Sequence, residues 1–180
     1  MYFSDEVDFS DCTFRKKIVI KDCVFKKGII FNRTYFVNGF SFINNDVCGC
    51  INFENCAFGG KIKIFHSKGE IYEINFTASV IKGLLELNSL RSGIFLSEDS
   101  SIKLNNIFVE PNGYLIIRNI NEKHKFTGII NFTDANLLGN VVLKNIYLKR
   151  FLLTNAVMVG GFLQNIYILR KSQIAKHMYD

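Results

Sequence analysis

The chain has 180 residues, of which 21% are charged, with a net charge of +6 and a pI of about 9.1. That length suits one domain able to bury a sizeable core, and the sign excludes the carboxylate-coated surface a protein needs to imitate duplex DNA. Eighteen Phe, one Pro and no Trp, with abundant Ile and Asn, favour strands and turns over helices.

From Phe9 onward one pattern recurs every eleven residues: FSDCTF at Phe9, IKDCVF at Ile20, FNRTYF at Phe31, FINNDV at Phe42 and FENCAF at Phe53. A large apolar residue opens each unit and another closes it, with Phe14, Phe25, Phe36, Val47 and Phe58 in the closing place. Asp or Asn usually takes the third place, and Cys12, Cys23, Thr34, Asn45 and Cys56 take the fourth. Apolar residues five apart form no single helical stripe, which needs spacings of three and four. They suit a chain that turns a corner every few residues and points alternate side chains inward, each coil covering the next.

Ile64, Phe76 and Leu87 continue the count, after which the openers Leu96, Leu104 and Ile117 follow at uneven steps. We read that stretch as bulges and loops within continuing coils. Regularity returns with FTDANL at Phe132, LKNIYL at Leu143, LTNAVM at Leu153 and LQNIYI at Leu163. Asp11, Asp22, Asn44, Asn55, Asp134, Asn145, Asn155 and Asn165 fall where the chain must turn, a role their backbone tolerance suits.

FSDCTF, FENCAF and above all FTDANL resemble the pentapeptide repeat, with Cys12 and Phe14, Cys23 and Phe25, Cys56 and Phe58, and Ala135 and Leu137 in its small and central places. The resemblance runs from about Phe9 to Ile168. It implies an all-β fold, a right-handed parallel β-helix, and a bacterial origin. The chain departs from the family in its eleven-residue pairs and in Leu90, Ile107, Ile120, Ile146 and Ile166 at small positions. Two units per coil predict about 22 residues per turn and about seven coils over residues 1–168. Residues 169–180 break the pattern; Ile174 and Met178, four apart, predict a short helical cap or a dimer contact.

The acidic opening MYFSDEVDF lacks a signal peptide's apolar run, and no apolar stretch approaches the roughly 20 residues of a membrane span, so a cytoplasmic protein with no membrane partner is expected. Three of the five cysteines fill small interior places, and the odd count fits reduced thiols. Cys48 and Cys50, with Cys56 or His66 nearby, are the one grouping that could hold a metal, but their spacing is not that of structural zinc sites. His66 occupies a turn place, His124 a charged loop and His177 the terminal segment, with no nucleophile or metal partner in sequence.

Glu73, Glu86, Glu98, Asp99, Glu110 and Glu122 read as solvated loop charges, because a spacing of about 22 sets Glu98 toward Ile120 and Glu110 toward Phe132 and builds no acidic row. No phosphate-cradling glycine motif occurs. Arg15, Lys16, Lys17, Lys21, Lys26, Lys27 and Arg33 alternate between sides and form no basic ladder, whereas Lys144, Lys149, Arg150, Arg170 and Lys171 come closer to a row. The sequence calls for no catalytic residue, metal or cofactor. It predicts a non-enzymatic scaffold for a protein partner, with a homodimer through a terminal coil as one form. The alternatives are a regulator of a DNA-acting enzyme or a direct nucleic-acid binder, and then an enzyme with its pocket between Leu87 and Phe132.

Overall fold

The computed structural model describes residues 1–65, 71–88, 100–118 and 128–168. They form an all-β parallel solenoid of about six turns, built from four columns of strands. The first column holds Tyr2–Phe3, Val24–Phe25 and Asp46–Val47. Seven strands form the second, from Val7–Asp8 through Ile29–Ile30, Gly49–Asn52, Ile71–Asn75, Ser101–Lys103 and Ile129–Asn131 to Arg150–Leu152. The third starts at Thr13–Phe14 and the fourth at Ile18–Lys21. Two long strands, Asn136–Leu148 and Val157–Ile168, run from the third column through the fourth and back onto the first side without a break. Every pairing is parallel, as one coil laid on another requires.

Seven levels stand in the third column, separated by six turns, fewer than the seven coils expected because the middle coils are longer than 22 residues. The expected openers alternate between two inward rows. One contains Ile20, Phe42, Ile64, Leu87, Ile117, Leu143 and Leu163 in register. The other runs through Phe9, Phe31, Phe53 and Phe76, whose rings stack at 5.4, 5.0 and 5.0 Å. Offset stacking of this kind adds to the gain from area burial alone. Further up the core becomes mainly aliphatic, with Leu104, Ile117, Leu137 and Leu143 buried and Phe132 the buried aromatic among them. Leu96 and the small-place Leu90 and Ile120 lie outside the described residues.

The turns depend on backbone handedness. All eight Asp and Asn residues assigned to corners take φ between 54° and 58°, joined by Arg33, Ala78 and Asn106. Asx side chains ease this left-handed geometry. At another corner glycines lie on top of one another: Gly60, Gly83, Gly113 and Gly139 each face backbone where a Cβ would stand.

Coil length is not uniform. Register advances by 22 residues from Tyr35 to Ala57, but Val80 pairs with Phe108 and Phe108 with Asn136. Tyr72 is one extra residue, a bulge within the strand Ile71–Asn75. Further residues separate Asn88 from Ser100 and Arg118 from Gly128, and two more fall between Val109 and Tyr114, at the corner between the third and fourth columns. The irregular middle is therefore insertion at two corners and one bulge, with strand pairing continuous past them. The predicted terminal helix over residues 169–180 lies outside the described residues.

Candidate functional site

The last coil is the part of the solenoid whose inward residues lie open. Leu153, Met158, Leu163 and Ile168 continue the inward rows but are 43, 36, 51 and 56% exposed. In register beneath three of them, Leu137, Leu143 and Leu148 are fully buried. Among the described residues the strand Val157–Ile168 pairs only with Asn136–Leu148, so its other edge presents a row of backbone donors and acceptors. Val157 and Val159 add exposed apolar surface at the rim, and the outward rings of Tyr147 and Tyr167 stack at 4.7 Å.

Charge at this end has one sign. From Ala135 to Ile168 the sequence holds Lys144, Lys149 and Arg150 and no Asp or Glu. Lys144 stands on the fourth column above Arg118, while Arg150 opens the last strand of the second column above Ile129. The intervening side, Ile146–Leu148, separates Lys144 from Lys149 and Arg150, so the expected basic row is divided between two corners. Arg170 and Lys171 lie outside the described residues, as do His66, His124 and His177.

A second cluster departs from the sequence expectation. Glu86 lies in the strand Leu84–Asn88 with its side chain outward, yet it is only 6% exposed. Arg118, next in the stack, donates from Nη2 to Glu86 Oε1 at 2.8 Å, and Asn88 Nδ2 donates to the same oxygen at 3.2 Å. Lys63, in register one coil below, lies 3.9 Å from Oε2. Asn88 Oδ1 and Arg118 Nε are buried without a hydrogen-bond partner. Glu73 and Glu110 are also paired, with Lys103 at 2.7 Å and Lys82 at 3.3 Å.

These three acids are thus members of ion pairs. Glu73 and Glu86 lie in strands and are not loop charges, whereas Glu110 is a partly exposed charge in the loop after Phe108–Val109. Glu98, Asp99 and Glu122 lie outside the described residues. The expected alignment of Glu110 also changes: Val109 pairs with Leu137, so Glu110 meets Leu138 and not Phe132, because that coil is longer than 22 residues. Finding the Glu86 cluster from sequence needs the individual coil lengths, which periodicity in the middle does not supply. Chemically, a carboxylate held between two cations serves as a fixed countercharge.

Cys12, Cys23 and Cys56 occupy the small interior places, and all five cysteines are free. Cys50 is exposed on the second column beside Glu73, and Gly49, with φ 113°, separates it from Cys48. Among the described residues no three His, Cys, Asp or Glu gather to hold a metal ion. No helix among the described residues is long and apolar enough to cross a membrane.

Comparison with known proteins adds no name to this architecture: no family model matches the sequence, and neither the curated proteins nor the solved structures yield a match.

Proposed function

We propose that this chain is a non-enzymatic scaffold, a right-handed solenoid of pentapeptide-repeat type that engages a protein partner through its C-terminal end. Right-handed winding follows from the strong preference of parallel crossover connections. The observation carrying the reading is the last coil: four inward-row residues remain open where the coil directly beneath buries its own, and among the described residues the strand Val157–Ile168 keeps a free edge. Apolar surface bordered by an unpaired strand is what strand addition by another chain satisfies, the backbone supplying hydrogen bonds and the open side chains supplying burial.

A photoreactive residue in place of Leu163 tests this in cells, with the same label at Thr13 of the first coil as control. A discrete protein adduct at position 163 that is lost on Met158→Arg is expected. A label at 163 that captures no protein would sink the reading.

A further inference from the structure

The two ends of the solenoid match each other in column order and, at the second column, oppose each other in charge. Val7 begins the inward row of the second column, which continues through Ile29, Ile51, Ile74, Ile102 and Ile130 to Phe151. Glu6 and Asp5 precede Val7, as Arg150 and Lys149 precede Phe151. The first eleven residues hold Asp5, Glu6, Asp8 and Asp11 and no Lys or Arg, with Asp5 and Asp11 paired to Lys27 and Arg33 of the next coil at 2.8 and 2.6 Å, whereas the last coil carries cations alone.

We propose that the first coil of a second copy stacks on the last coil of this chain, head to tail, so that the strand columns continue across the junction. The inference rests on the reading of the C-terminal end as an interaction surface and names its occupant. Continuing each row by one level places Val7 of the second copy on Phe151 and Glu6 on Arg150, with Asp5 beside Lys149. Phe9 falls on Leu153, Phe14 on Met158, Ile20 on Leu163 and Phe3 on Ile168. All four residues of the second copy are only partly buried in the free chain, since no coil lies beneath them. Lys21 falls on Gln164, and Arg15, Lys16 and Lys17 fall near Val159 and Gly160, so among the described residues no like charges meet. Pairing of one last coil with another offers Arg150 no carboxylate from residues 135–168, which hold none. A head-to-tail contact leaves a free end on each copy and does not close, so assembly is open-ended.

The test is sedimentation of the full chain over a range of concentrations, with Glu6→Arg, Arg150→Glu and an equimolar mixture of the two. Both side chains are exposed, and unchanged far-UV spectra check that the variants fold. The wild-type mass should rise with concentration past that of a dimer. Each single variant should lose association at least about tenfold through like-charge contact, and the mixture should recover it, since each variant then meets a complementary end.

A monomer at every concentration overturns the proposal, with residues 169–180 or another protein then covering the end. A dimer of fixed mass that ignores Glu6→Arg overturns it in favour of paired C-terminal ends. A label at position 163 that captures a different protein on a monomeric chain defeats self-stacking alone, and a label that captures nothing defeats the scaffold reading too.

Discussion

Asn45 lies wholly inside the core and completes the backbone of the coil below it: its Oδ1 accepts the Cys23 N–H at 3.0 Å, and its Nδ2 donates to the Ile20 carbonyl at 3.1 Å. The left-handed residue before each small place turns the chain away from its neighbour and interrupts the strand ladder. A short polar side chain from the next coil fills the gap. Ser79 does the same, accepting the Cys56 N–H at 2.9 Å and donating to the Phe53 carbonyl at 2.7 Å. Asn45→Ala therefore leaves a buried donor and a buried acceptor unpaired, and urea unfolding should show a loss of about 2–4 kcal/mol. A loss under half a kcal/mol would mean that the coils relax to re-pair these groups.

Much of this arrangement was legible because its causes are local. The eleven-residue period fixes which residues point inward, and each Asp or Asn in the third place brings the means to adopt positive φ, so all eight corners could be named. The same period pairs Cys23 with Asn45 twenty-two residues on. The environment of Glu86 was not legible, because its partner Arg118 lies 32 residues ahead across a lengthened coil. Insertions at a corner leave no periodic signal, so the sequence could say that the register loosens but not by how much in each turn. The open end was equally hidden: Leu163 fits the repeat as well as Leu143 does, and what distinguishes them is that no strand among the described residues pairs above Leu163.

Glycines at the corner between the third and fourth columns are required by close approach. A Cβ on Gly139 would collide with the carbonyl oxygens of Glu110 and Gly113, neither of which can swing aside. On Gly160, one coil higher, the nearest atom would be the Gly139 oxygen at 3.5 Å, an ordinary contact. Gly139→Ala should cost about 1–3 kcal/mol by urea denaturation, as overpacking does, while Gly160→Ala should stay within about half a kcal/mol. Equal effects at the two positions would show that the stacked corner is looser than its spacing.

Ala78 occupies a left-handed corner at φ 56° with no side chain able to offset the strain. Its equivalents one coil away on either side are Asn55 and Asn106, at φ 56° and 53°. Ala78→Gly relieves the Cβ clash but frees the unfolded chain, whereas Ala78→Asn relieves it through local hydrogen bonding. Both should stabilise, by about 0.5–1 kcal/mol, read as a rise in the urea midpoint at unchanged slope. A lower midpoint for Ala78→Asn would mean that this corner has no room for the amide.

Glu86 and Arg118 should be strongly coupled. Arg118→Met strips the covered carboxylate of its nearest cation and leaves Lys63 at 3.9 Å, so a loss of about 1–3 kcal/mol is expected, moderated because Arg118 is itself partly exposed. Adding Glu86→Met removes the stranded charge, and the double variant should be no less stable than Arg118→Met alone. Additive losses in the cycle would show that the two side chains act independently.

Alkaline pH should reveal the thiol at the centre of the solenoid. Cys56 is 1% exposed, and its Sγ donates to the Phe31 carbonyl at 2.9 Å. Burial pushes its pKa from the ordinary value of 9.0 up to about 12. The folded chain therefore keeps this proton over a range in which the unfolded chain releases it. Below pH 9 both states hold it and the group makes no difference; above, the unfolded state gains, and stability falls by up to about 1.4 kcal/mol per pH unit until the folded thiol ionises near 12. Cys56→Ser keeps a hydrogen-bond donor of similar size without a titration in this window. Between pH 8 and about 10.5 the wild type should lose roughly 2 kcal/mol more than the variant, tyrosines and lysines contributing equally to both. Parallel pH profiles for the two proteins would mean that Cys56 is reached by hydroxide in the folded state, and the core at this level would then be open to water.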